Sequence, residues 1–283
     1  AADRLVLPLP LFHMHGLGVG LHGSLTAGAS VVLRPSFDAV DTLDAVAAHG
    51  ASLLFGVPTM WSRLEATGRV GELASLRLGV SGSAPLDAGL HDAVARQTGH
   101  HLIERYGMTE TVMLTSNPYD GDRRAGTVGL PLPGVDLRLA DATDEIEVRG
   151  PNVFDGYWQR PDATAECLHD GWFSTGDVGA LDPDGYLRIV GRRKELIISG
   201  GYNVYPREVE DVLSTHPDVD AVAVVGVPDE YWGEAICAVV VARAGSRPSP
   251  TELEDHVREH LSSFKRPRHV LFVDALPAVA VTE

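Results

Sequence analysis

The chain has 283 residues, 44% hydrophobic and 22% charged, with 30 Gly and 18 Pro, an ordinary globular composition with room for more than one domain. Its formal net charge of -16 excludes a nucleic-acid binder, which needs clustered Lys and Arg, and leaves any polyanionic ligand to backbone N–H groups, a few placed cations or a metal ion. Cys167 and Cys237 have neither disulfide nor zinc spacing, so a reducing, cytoplasmic compartment is expected, and no apolar run approaches the roughly 18 residues of a membrane-spanning helix.

The opening AADRLVLPLP has no initiator Met and no signal-peptide pattern, so the chain is expected to be a piece of a longer polypeptide. Strands are predicted over RLVLPLP, SVVLRP, SLLFGVP, LRLGVSGS and HLIERYG. Helices are predicted between them over AVDTLDAVAAHG, PTMWSRLEATG and PLDAGLHDAVARQTG, the last stopping at Gly99, as a helix C-terminus does. This alternation is the sign of an α/β domain. From about residue 126 the texture changes to short strands and Gly/Pro turns, GVDLRLA, EIEVRG and GYLRIVG, with DPDG at 182–185 as a turn.

A second change follows GRRKELIISGGYNVYP. Beyond it the order is helix, strand, strand, helix, strand, with Val209, Val212 and Leu213 on one helical face and Leu253, Val257 and Leu261 on another. The expected fold is α/β: a large N-terminal portion with a mixed or parallel sheet (1–125), a β-rich subdomain (126–193), and a small α+β domain joined by a hinge (194–283).

Several stretches carry candidate chemistry. SGSAPL (81–86) follows a strand and leads into a helix, where small residues let backbone approach a planar ligand or phosphate; such turns are also common in structural roles. ERYGMTET (104–111) ends the next strand, at the sheet edge where open α/β folds bind ligands. There Tyr106 either stacks on a base or packs in the core, Thr109 can donate to phosphate, and Glu110 can hold Mg²⁺. STGD (174–177) places Asp177 at the end of an aromatic-rich turn, as a ribose acceptor or a turn residue. GRRKE (191–195) is either a ligand-binding or a solvated basic cluster, and SGGYN beyond it offers two glycines. LFHMHG (11–16) lacks a third ligand at metal spacing, so His13 lining a pocket is favoured over zinc.

Taken in order, LPLFHMHG, SGSAPL, ERYGMTET, GTVGLPLPG, STGD, GRRKELIISGGYNVYP and REVE resemble the adenylate-forming acyl-CoA synthetase (AMP-binding) superfamily over nearly the whole chain. The resemblance implies an enzyme that uses ATP, Mg²⁺ and coenzyme A to convert a small carboxylic acid to its acyl-adenylate and then its thioester. It implies a catalytic set of Thr109, Glu110 and His13. Gly82, Ser83, Ala84, Tyr106, Gly107, Thr109, Asp177 and Arg192 would bind nucleotide, and Glu110 would hold the metal. Lys194 would be the hinge, and Gly200, Gly201 and Tyr202 the CoA contacts.

HMHGL, FGVPTMW, ERYGMTE and SNPYDGDRRAGTVGLPLPGV look closest to malonyl-CoA synthetases, acting on malonate or methylmalonate. Arg105 stands where most relatives have an uncharged residue, and a guanidinium suits the spare carboxylate of a dicarboxylate. Pairing with Glu104 or another surface carboxylate is its simpler alternative. A ligase for another small or aryl acid, a carrier-protein-loading adenylation domain and an inactive nucleotide-binding remnant are the competing readings. The family's phosphate loop with its lysine would precede LPLFH, and a Gly-Lys segment would follow the DALP near the end. Without them the chain alone is expected to be poorly soluble or nearly inactive.

Overall fold

The computed structural model describes residues 3–276. The PAVAVTE terminus, where the resemblance would turn toward the Gly-Lys segment, lies outside the described residues. The fold is mixed α/β with parallel and antiparallel sheets, in two compact units. One runs to Thr175 and resumes over Gly179–Ile189, and the other takes Gly176–Val178 and everything from Val190 onward.

The first sheet is built from β1 (Arg4–Leu7), β2 (Ser30–Leu33), β3 (Leu53–Gly56), β4 (Leu78–Ser81), β5 (Ile103–Tyr106), β6 (Thr115–Ser116) and β7 (Leu130–Pro131), in the order β2-β1-β3-β4-β5-β6-β7. The first five strands pair in parallel, and the last two pairings are antiparallel. Alternate residues divide between its faces, as the pleat dictates. Val6 and Leu54 join Trp61, Leu43 and Val94 on one side, while Leu5, Leu7, Leu53 and Phe55 pack with Val80 and Ile103 on the other. Burial on both faces explains why these strands read as continuous apolar runs.

After β1, a π-helical segment over His15–His22 runs into α1 (Gly23–Thr26), which composition does not predict. Glycine is a poor helix former; here Val19 and Leu21, packed against the sheet, supply the tertiary support. The helices α2 (Ala39–His49), α3 (Pro58–Ala66) and α4 (Ala88–Thr98) carry their own punctuation. Asp38 and Asp87 accept from the backbone N–H groups of Asp41 and Leu90, and Gly50 and Gly99 adopt the left-handed conformation that ends each helix. Pro58 opens α3, and its Trp61, 1% exposed, donates Nε1–H to the Val80 carbonyl at 3.0 Å. Truncating such a side chain to Ala costs about 3–5 kcal/mol.

A second sheet contains β8 (Asp136–Leu139), β9 (Glu145–Arg149), β10 (Leu168–His169), β11 (Trp172–Leu181) and β12 (Leu187–Arg192), and a helix, α5 (Pro161–Cys167), precedes β10. Ile146, Val148, Phe173 and Leu187 form its core with Leu114 and Val128. DPDG turns β11 into β12, with the Gly185 N–H donating to the Asp182 carbonyl. Asp177 lies inside the ten-residue strand β11 rather than at the end of a turn, because neighbouring strands supply pairing for its polar, Gly-containing sequence.

The other unit holds β13 (Ile197–Ser199), β14 (Tyr202–Val204), α6 (Pro206–Ser214), β15 (Val219–Asp229), β16 (Gly233–Ala242), α7 (Pro250–His260) and β17 (His269–Phe272). Its sheet order is β14-β13-β16-β15, with β17 on β16. The two predicted helical faces supply its core, with Val209, Leu213, Leu253 and Val257 fully buried. Ser249 and Glu252 form a capping box that starts α7.

Candidate active site

The parallel strands β3, β4 and β5 end side by side, with Gly56 opposite Ser81 and Ser81 opposite Glu104. SGSAPL and ERYGMTET therefore begin at the same sheet edge. The Gly82 N–H donates to the Gly56 carbonyl at 3.3 Å. Ser83 follows at φ 69°, a left-handed conformation that costs a non-glycine residue about 1–3 kcal/mol and recurs at ligand clamps. Its Oγ lies 3.1 Å from His15 Nδ1.

Strand alternation separates Glu104 from Arg105. Glu104 is 3% exposed, and its Oε1 accepts from the Leu86 N–H at 3.1 Å. Arg105 turns to the opposite face, its guanidinium carbon 5.6 Å from the centre of the Phe55 ring. Its Nε is buried with no hydrogen-bond acceptor among the described residues, and burial pushes the guanidinium below its ordinary pKa. The pairing of Arg105 with Glu104 is not formed.

His15 shares this place: its ring stacks toward Phe55 at 6.4 Å and its Nε2 is buried without a partner among the described residues. Burial first, then the Arg105 charge, lowers its pKa to about 4, so the ring is neutral at pH 7. Sequence reasoning selected His13 from LFHMHG. His13 sits with its ring 4.5 Å from Phe12, and it is His15 that reaches Ser83. Both histidines are visible in LFHMHG; only packing shows which one reaches Ser83.

Beyond β5 the chain turns sharply. A Cβ at Gly107 would lie 2.3 Å from the Val112 carbonyl oxygen and 2.8 Å from Met113 Cα, so glycine is required for this approach. Asn152 Nδ2 donates to the Thr111 and Met113 carbonyls, each at 2.9 Å, and fixes the loop from outside. Thr109 is exposed on it, and Tyr106 packs in part against the core around Leu114. The Glu110 carboxylate accepts from the Tyr157 hydroxyl at 2.9 Å. Burial and then this carboxylate raise the Tyr157 phenol to about 12, so it stays a donor. One carboxylate oxygen held this way leaves hard oxygen lone pairs that fit Mg²⁺. Ala84 is exposed beside Ser83.

In the other unit Asp177, 4% exposed, pairs through Oδ1 with Arg192 Nε at 3.1 Å across β11 and β12, so the two residues assigned to ribose meet. Lys194 is exposed in a single 3-10 turn over Arg193–Glu195. Gly200 and Gly201, at φ 59° and 81°, form the two-residue turn between β13 and β14, and the positive φ at both is the reason for glycine. The Gly200 N–H donates to the Trp232 carbonyl at 2.8 Å, and a Cβ there would meet the Trp232 ring at 2.6 Å. Trp232 lies under the Arg268 guanidinium at 3.6 Å, and Tyr202 stacks on Phe264 at 4.6 Å. Neither aromatic contact was anticipated, because both join residues distant in sequence.

Known proteins resemble this chain in sequence and fold. The AMP-binding enzyme family matches residues 1–158, and the AMP-binding enzyme C-terminal domain matches residues 208–281. A feruloyl-CoA synthase from Amycolatopsis is 42% identical over 97% of this chain and 58% of its own length. The ATP-bound MatB from Rhodopseudomonas palustris is 44% identical, with a TM-score of 0.93 over 98% of this chain and 57% of that one. A malonyl-CoA ligase, solved as a ternary product complex with methylmalonyl-CoA and AMP, is 48% identical, with a TM-score of 0.64 over 98% of this chain and 63% of that one. The chain thus spans little more than half the length of the curated relatives it matches. No described helix is long and apolar enough to cross a membrane. The ordered motifs, the sheet edge they share and both family matches together make the chain a member of the AMP-binding enzyme family.

Proposed function

We propose that this chain is the acyl-recognition and hinge-bearing part of an ATP-dependent acid–CoA ligase that acts on malonate or methylmalonate. One substrate carboxylate attacks the α-phosphorus of ATP, expelling pyrophosphate and forming an acyl-adenylate. The CoA thiol then attacks the activated carbonyl, loses its proton and releases AMP. The observation that carries the dicarboxylate reading is Arg105, a half-buried cation whose Nε is buried and lacks an acceptor among the described residues. A second carboxylate would be costly to bury unpaired, by several kcal/mol, and a guanidinium can hold it through two N–H bonds. His15, neutral and anchored at Ser83, adds a polar partner without adding repulsive charge.

The remaining roles follow the resemblance. Gly82, Ser83, Ala84, Tyr106 and Gly107 would form the adenine and acyl platform, and Thr109 would donate to phosphate. Glu110 would hold Mg²⁺, which when bound neutralises phosphate oxygens. His13 would border the thiol's approach. In the second unit Asp177 and Arg192 would take the ribose hydroxyls, Lys194 would be the pivot at which the domain from 194 onward swings, and Gly200, Gly201 and Tyr202 would meet the pantetheine arm.

A second reading has one observation in its favour. The 42% identity to a feruloyl-CoA synthase, with Phe55 beside Arg105, supports an aryl acid. Pyrophosphate exchange by a protein carrying the complete adenylation region separates the two. Arg105→Leu should cut exchange with malonate at least tenfold and leave benzoate or ferulate within about threefold. An equal loss with every acid would remove the dicarboxylate assignment.

A further inference from the structure

At the opposite end of β5 from Arg105, outside the residues assigned to the reaction, three side chains converge. His91, in the first turns of α4, is 2% exposed. Its Nε2 lies 3.3 Å from the Leu102 carbonyl. A carbonyl can only accept, so this bond places the proton on Nε2 and leaves Nδ1 with a lone pair. That Nδ1 is buried with no hydrogen-bond partner among the described residues. The Asp92 carboxylate stands beside it, Oδ1 at 3.6 Å. With the proton on Nε2, two acceptors thus stand side by side, beyond hydrogen-bond distance of each other. His101 completes the group, its ring stacked on His91 at 5.1 Å, and one ligand atom from each residue lies within 4.8 Å of the others. The His101 carbonyl is held by Arg123 Nη1 at 2.6 Å, which fixes the backbone that carries its ring.

We infer that His91, Asp92 and His101 form a binding site for a divalent transition-metal ion of the Zn²⁺ type. Two imidazoles and a carboxylate are a donor set such ions take, with solvent completing the shell. Ligand atoms about 2.0–2.2 Å from a tetrahedral zinc sit roughly 3.3–3.6 Å apart, which the His91–Asp92 spacing of 3.6 Å matches. The Nε2–H bond to the Leu102 carbonyl is the outer support that metal-bound histidines usually have. Asp92 and His101 are exposed, which gives an ion a path in. The bound ion would tie α4 to the segment that enters β5.

The test is a calorimetric titration of the whole chain with Zn²⁺. It is run on the His260→Ala background, because His256, Glu259 and His260 form another histidine-containing group, on α7. One Zn²⁺ should bind per chain. Asp92→Asn and His101→Ala, both at exposed positions, should each weaken binding at least tenfold while far-UV circular dichroism stays unchanged. Co²⁺ should give the visible absorption of a low-symmetry site, lost in the same variants. Absence of Zn²⁺ binding, or binding that both variants leave intact, would overturn the assignment.

Discussion

Replacing Arg105 by leucine should stabilise the substrate-free protein. The guanidinium presents a buried Nε with no acceptor among the described residues, and burial opposes its charge. An unsatisfied buried donor costs about 1–3 kcal/mol. The substitution also removes the cation–π contact over Phe55, at 5.6 Å, worth about 0.5–1 kcal/mol, while leucine keeps apolar contact with that ring. The balance is a gain of about 1 kcal/mol, or roughly 2–4 °C in Tm for a unit of this size. Thermal unfolding with and without malonate reads it. The variant should melt higher than the wild type without ligand, and only the wild type should gain from malonate. Such an exchange of stability for function is usual where a site must hold a charge ready. A variant that melts several degrees lower without ligand would show that Arg105 is part of the structural frame, and the reasoning would fail.

Three other outcomes follow from the same geometry. Gly107→Ala should destabilise the chain by about 1–3 kcal/mol or more in urea unfolding, since its Cβ would fall 2.3 Å from a backbone oxygen that cannot swing aside; an unchanged midpoint would mean the loop is soft. His15 titrates at about 4 when folded against 6.5 for the model imidazole. Its contribution is therefore complete above pH 6.5 and is lost as pH falls toward 4, amounting to about 3 kcal/mol at about 1.4 kcal/mol per pH unit. His15→Gln should flatten the stability–pH curve in that window, and an identical slope would contradict the burial of this ring. Arg192→Ala should move Tm by no more than about 1 kcal/mol allows, because its side chain is 65% exposed, yet should weaken ATP binding about tenfold by fluorescence titration. Unchanged ATP affinity would remove Arg192 from the nucleotide site.

Much of the scaffold was legible from local pattern. The runs around Leu5–Leu7 and Leu53–Phe55 are buried on both faces, so their strand character survives without context. Asp87 and Gly99 mark both ends of α4 because capping is satisfied within a few residues. The helix over His15–His22 was not legible, since its glycines oppose helix formation until Val19 and Leu21 meet the sheet. Asp177 was misplaced for a related reason: its strand is made by partners far away in sequence. In the candidate site, the role proposed for Arg105 starts from one unusual charge before Tyr-Gly. The separation of Glu104 from it needed only the two-residue repeat of a strand. The approach of His15 to Ser83, and the seating of Gly200 on Trp232, depend on side chains brought together by the fold.

The central claim concerns the acid. A protein carrying this chain together with the complete adenylation region, supplied with ATP, Mg²⁺, CoA and an equimolar mixture of malonate, ferulate and benzoate, can be read by mass spectrometry of its thioesters. Malonyl-CoA should accumulate with an equal amount of AMP and exceed the aryl thioesters at least tenfold. Feruloyl-CoA or benzoyl-CoA forming as fast as malonyl-CoA would contradict the account.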